Sequence, residues 1–142
     1  MTVMETELRY LAGGGIELAE PAADLRGLVV VGPDGLRIGQ VEDLVVDVDE
    51  RRPRLLVVAS GGVLGLAVRR VLVPVETVTR VADRVHLDRS SGVVNALLAD
   101  RTAQPPGPPA QRPTAPGPGC LAELYALFGV TPFWLTGSHP GS

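Results

Sequence analysis

Five carboxylates crowd one short stretch of the chain: Glu42, Asp43, Asp47, Asp49 and Glu50. Acid–base catalysis by such a pair needs one carboxyl buried with its pKa raised while its neighbour stays ionised. A divalent cation needs several oxygens converging on one point, and the ligand order of an EF-hand loop is missing from this stretch. Between the acids run Val41, Leu44, Val46 and Val48, the pattern of a strand with one dry and one wet face. The wet face is the predicted place for the carboxylates, ahead of cation or proton traffic and of catalysis.

The remaining reactive residue types form no constellation. His86, His139 and Cys120 lie in unrelated segments without zinc-ligand spacing, and a single cysteine excludes an internal disulfide. His86 alternates with Val85 and Leu87, which points it outward. Ser90 and Ser91 precede an apolar run, Val93–Leu98, and read as helix N-caps rather than nucleophiles. Gly61-Gly62-Val63-Leu64-Gly65 lacks the Gly-Lys-Ser/Thr of a phosphate loop and reads as a hairpin connection. No catalytic residue, cofactor site or metal ligand is predicted, and the chain reads as a non-enzyme.

Charge narrows the partners. The net charge is -3, and all 13 basic residues are arginine, a bias of the kind a GC-rich genome produces. An acidic chain without a basic face is a poor nucleic-acid binder. Arg51, Arg52, Arg54, Arg69 and Arg70 fit ordinary surface charge, with docking of an acidic partner as the alternative.

The aromatic residues carry the sharper signal. Of five in the chain, Tyr125, Phe128, Phe133 and Trp134 lie near the C-terminus. Leu121, Leu124, Tyr125, Leu127 and Phe128 follow helical spacing, and Gly129 would end that helix. Leu121, Leu124, Tyr125, Phe128, Phe133 and Trp134 are the predicted partner-binding residues, because aromatic anchors bury large area at low rotamer cost. Two other destinations stay open: folding back on the chain's own apolar surface, and a membrane surface. The second is disfavoured by the lack of Lys or Arg in the segment.

The elements that must carry these residues are mostly strands. Residues 1–23 form an N-terminal arm, in which Thr6–Leu11 fits a short strand or a helical turn. Val29-Val30-Val31 is a β-branched run closed by the turn Gly32-Pro33-Asp34-Gly35. Ile38 to Val48 returns as a strand, with Gly39 and the broken alternation between Val41 and Leu44 marking a bulge or bend. Leu55–Val58, Val68–Val73 ended by Pro74, Val75–Val81 and Val85–Leu87 complete about six strands. The predicted fold is all-β: a small barrel with Val30, Val46, Leu56, Val58, Val71 and Val73 filling its interior and a short helix after the last strand. Residues 101–119 read as a Pro/Gly-rich disordered linker, and 120–142 as an apolar tail with a possible short helix. Met1–Glu7 does not read as a signal peptide, and no run approaches the roughly 18 apolar residues of a membrane span. A cytoplasmic protein is expected.

One stretch resembles a known family. Asp24-Leu25-Arg26-Gly27, Val29 to Gly35, and Ile38-Gly39-Gln40-Val41-Glu42-Asp43-Leu44-Val45-Val46-Asp47 resemble the opening of a PRC-barrel domain. Val71-Leu72-Val73-Pro74 and Val85-His86-Leu87 are similar to its later strands, so the resemblance spans residues 24–100. The family takes in the cytoplasmic part of the photosynthetic reaction-centre H subunit, the C-terminal domain of the ribosome maturation factor RimM, and free-standing bacterial and archaeal proteins. The resemblance implies a small barrel that binds other proteins without a shared catalytic centre. The expected function is a non-catalytic protein–protein interaction adaptor with an unidentified protein partner or a second copy of itself. A RimM-like ribosome-assembly or RNA-processing factor and a small ligand-binding or hydrolytic barrel are the alternatives.

Overall fold

A computed structural model of the 142-residue chain describes residues 7–12, 15–61, 68–97 and 118–132. Seven strands form one curled sheet: β1 (Leu8–Tyr10), β2 (Val29–Val31), β3 (Arg37–Asp47), β4 (Pro53–Gly61), β5 (Val68–Pro74), β6 (Val78–Val81) and β7 (Arg84–Leu87). Their order is β5-β4-β3-β2-β7-β6, with β1 joined to β3. Among the described residues only the β2–β7 pair is parallel. Helix α1 (Ser91–Leu97) follows the last strand, and a second helix, α2 (Pro118–Phe128), comes later in the chain.

The turn residues do what their types dictate. Gly35 takes φ +80°, its N–H donates to the Gly32 carbonyl oxygen at 3.0 Å, and Asp34 Oδ1 accepts from Leu36 N–H at 3.1 Å. That closes the β2–β3 hairpin. In β3 the bulge stands where alternation breaks: Val41 pairs with Val58 and Asp43 with Val57, which leaves Glu42 as the extra residue. The long strand is thereby bent, and it serves two neighbours on one side, β2 along its first half and β1 along its second.

Gly39 marks a close approach. A β-carbon there would stand 2.4 Å from the Ala59 carbonyl oxygen and 2.9 Å from Val58 Cγ1. The backbone oxygen cannot swing aside, so Gly39→Ala should destabilise the domain by about 1–3 kcal/mol. Gly92→Ala on α1, where the nearest atom is Ser90 Oγ at 3.9 Å, should instead stabilise by about 0.5–1 kcal/mol. Urea denaturation of both variants checks the pair; equal midpoints would remove the close-approach account.

The core needs covering on both sides. Leu55–Val58 of β4 and Val71–Val73 of β5 are all buried, whereas a sheet with one wet face would leave alternate residues exposed. The six residues expected to fill the interior are buried, and so are the neighbours between them. The curl supplies one cover. Another comes from α2: Leu121, Leu124, Tyr125 and Phe128 join the same apolar cluster as the strands. Gly129 ends this helix as expected, at φ +69°, in a Schellman motif: Gly129 N–H donates to the Ala126 carbonyl and Val130 N–H to the Tyr125 carbonyl, each at 3.1 Å. Helix α1 starts at Ser90, whose carbonyl accepts from Val94 N–H at 3.1 Å and whose Oγ accepts from Val93 N–H at 3.4 Å. Gly61 pairs with Val68, so the glycine-rich stretch joins two paired strands.

Candidate functional site

The structure separates the six predicted partner-binding residues into two groups. Leu121, Leu124, Tyr125 and Phe128 are at most 2 % exposed and belong to the chain's own core. Their stripe thus follows the fold-back alternative, because both faces of β4 and β5 demand cover and the helix supplies it. Phe133 and Trp134 lie outside the described residues, as do residues 101–117 of the expected linker 101–119, whose last two residues, Pro118 and Gly119, instead open α2.

Helix α2 is fastened at two points. The Tyr125 hydroxyl shares its single proton between the Arg54 carbonyl oxygen, at 3.3 Å, and the Glu76 carboxylate. Burial, with the Glu76 charge adding to it, pushes the Tyr125 hydroxyl far above the ordinary phenol range, so it stays neutral and keeps its proton. Glu76 is partly exposed, yet desolvation of its carboxyl raises its pKa, opposed by hydrogen bonds from its own N–H and Tyr125 and by Arg54 and Arg52. At the helix C-terminus, the Arg89 guanidinium donates to the Phe128 carbonyl oxygen, where a cation also meets the negative end of the helix dipole.

The acidic cluster divides: Asp49 and Glu50 lie on the wet side as expected and Glu42 is half-buried, but two of its members are fully enclosed. Asp43 and Asp47 are 0 % and 1 % exposed, which corrects the reading from alternation. Asp43 Oδ1 accepts Leu44 N–H at 2.8 Å and Ala12 N–H at 3.0 Å, fixing the chain just beyond β1. Asp47 Oδ1 accepts Asp49 N–H at 2.8 Å and Glu50 N–H at 3.0 Å, while Oδ2 accepts Arg54 Nη2 at 3.0 Å. These oxygens organise a hairpin whose Arg51 is held at φ +54°. Glu42 is engaged by Arg70 Nε at 2.8 Å across strands. No group of three or more metal-ligating side chains comes together among the described residues. His86 alternates with the buried Val85 and Leu87 as expected and is itself half-buried.

What the sequence did not reveal is a groove of about 620 Å³ beside that hairpin. One wall is the 3-10 turn Pro21–Ala23 with Ala19 and Leu25; another is Arg51–Pro53; the third is Val75, Val78 and Val81. Ala19 N–H donates to the Arg51 carbonyl oxygen at 2.9 Å, which ties the first wall to the second. Beyond Leu25, Arg26 reaches back to Asp24 with Nε at 2.9 Å and Nη2 at 2.8 Å; that hydrogen-bonded guanidinium holds the Asp24 carboxyl below its usual value. The third wall is an outer strand of the sheet, β6, and its Val81 is 45 % exposed. The lining surface is mostly apolar, and Glu20, Glu50, Arg51 and Arg52 also line it. Such a shape takes an apolar segment of a protein more readily than it takes a reacting substrate. The residues involved come from three separated stretches, none of them periodic, so only the fold brings them together.

A family model for the PRC-barrel domain matches residues 19–94, more than half of the chain. The matched segment contains every groove residue and strands β2 to β7, but neither β1 nor α2. No curated protein matches the chain. No helix among the described residues is long and apolar enough to cross a membrane.

Proposed function

Because the chain belongs to the PRC-barrel domain family, we propose that it is a non-catalytic protein-interaction adaptor whose binding surface is the groove between Pro21–Ala23, Arg51–Pro53 and β6. The observation that carries this reading is the groove itself: an apolar trough on the family segment, bounded by an outer strand with exposed Val81. A strand edge that no other strand pairs among the described residues, with apolar side chains beside it, offers the two things an extended peptide can use at once. The helix Pro118–Phe128 is in this reading a fixed part of the barrel rather than a docking peptide, and Phe133 and Trp134 are the tail residues left to meet a partner.

Photo-crosslinking in the native cell tests it. A benzophenone side chain at Val81 should give a defined adduct with one protein, and Ala22→Glu on the opposite wall should abolish that adduct. The same group at Leu36, which is 58 % exposed and outside the groove, should not form it. An identical adduct pattern from positions 81 and 36, or one indifferent to Ala22→Glu, would overturn the reading. Adducts made up of ribosomal proteins would move it to an assembly factor.

A further inference from the structure

We infer that the groove takes an extended, mostly apolar segment of a partner protein that carries one carboxylate, and that Arg51 is the residue that receives it. The inference rests on the adaptor reading and adds the partner's chemistry to it. Arg51 is held in a conformation that its type disfavours. Its φ is +54°, and among the described residues every other positive φ belongs to a glycine. A residue with a β-carbon is strained there, whereas glycine is not. The position is nonetheless fixed on both sides. Arg51 N–H donates to the Asp47 carbonyl oxygen at 2.7 Å, and the Arg51 carbonyl oxygen accepts from Ala19 N–H at 2.9 Å. Glycine would make both of these backbone bonds without the strain. What arginine adds is a guanidinium, on a residue that lines the groove. Strained backbone of this kind concentrates where a side chain is needed for binding.

The charges along the lining single out the same residue. Arg52 pairs with Glu50 at 3.4 Å, and Glu50 also meets Arg54 at 3.3 Å. Arg51 is exposed, and no carboxylate of the described residues pairs with it. It therefore offers a cation on a fixed backbone beside Ala22, Leu25, Pro53, Val75 and Val78. A guanidinium can hold a carboxylate through two parallel N–H bonds, and apolar surroundings that exclude water strengthen the pair. Glu20, in the first wall, lines the groove without an ion pair of its own. It disfavours a run of acids, so the fitting segment has a single acidic residue among apolar ones. An extended segment beside β6 would turn alternate side chains toward the groove.

Panning a phage-displayed library of random peptides against the full chain tests this. The recovered peptides should alternate apolar residues and carry one Asp or Glu. Their affinity, read by fluorescence anisotropy, should fall about tenfold in Arg51→Gly, weaken with added salt and vanish in Ala22→Glu. The urea midpoint of Arg51→Gly should not fall, because glycine relieves the strain. Panning against Arg51→Glu should return Lys or Arg in place of the acid. Peptides that Ala22→Glu excludes but that bind Arg51→Gly as tightly as the unmodified chain would end the inference and leave the adaptor groove in place. Weaker binding together with a lower urea midpoint would reduce Arg51 to a residue that shapes its loop, which also ends it. So would self-association abolished by Ala22→Glu, since the occupant would then be a second copy, and so would a panning that returns nothing. The Val81 adduct decides the adaptor reading separately: Arg51-dependent peptides without any adduct in the cell would sink that reading alone.

Discussion

A chain cut after Asp100 should not fold into the same barrel. Removing α2 takes Leu121, Leu124, Tyr125 and Phe128 out of a cluster that includes Leu55, Leu56, Val57, Val71 and Val73. Each fully buried side chain of this size is worth about 1.5–3 kcal/mol, so four amount to roughly 6–12 kcal/mol as an upper figure. The entire stability of a small domain is about 5–15 kcal/mol. The cut chain should therefore lose its cooperative melt, bind a naphthalene sulfonate dye and aggregate, while far-UV circular dichroism still shows strand. A chain ending at Pro132 keeps the helix and both of its fastenings, and it should melt cooperatively. A cooperative transition at the full-length temperature in the chain ending at Asp100 would mean that α2 is an appendage. The family segment ends at residue 94, so this helix is a cover added outside it.

The helix shows where sequence reading reaches its limit. Its period, its final glycine and its apolar stripe are all legible, because each is a local property of helix geometry. Its destination is not local. An apolar stripe has the same spacing whether it faces a partner or the chain's own sheet, and a Pro-rich spacer permits both. The deciding feature lay elsewhere, in the unbroken runs Leu55–Val58 and Val71–Val73, which have no wet face and so call for a second cover. The hairpin at Gly32–Gly35 and the bulge at Glu42 were legible for the opposite reason: turn glycines and broken alternation state their own geometry. Helix α1 likewise starts at the serine that caps it. The groove was out of reach, because Ala22, Pro53 and Val78 become neighbours only once the 3-10 turn is tied to the hairpin by Ala19 and Arg51.

Asp43 and Asp47 were misplaced by the same kind of inference, and Asp47 gives the second large expected effect. Alternation says which side of a strand a residue takes, not what lies over it. Over Asp47 lie Arg54, with its side chain 11 % exposed, and the loop N–H groups of Asp49 and Glu50. A local cue existed: an aspartate opening a turn commonly accepts the N–H two residues on, and Asp49 stands two residues past Asp47. Asp47→Ala strips all these partners at once and leaves a largely buried guanidinium without its main counter-charge, which should destabilise the barrel by about 3–5 kcal/mol. Arg54→Ala should cost less, about 1–3 kcal/mol, because Asp47 retains its two loop donors. The double variant should be more stable than the sum of the two losses implies, with a coupling of roughly 0.5–3 kcal/mol. Urea midpoints for the four chains measure it. If the cluster instead served catalysis or a cation, its crowded charge would be kept at the expense of stability, and Asp47→Ala would raise the midpoint. A rise therefore reassigns Asp47 to function, and a fall with positive coupling makes it the pin that holds the Asp49–Pro53 loop, and with it the second wall of the groove.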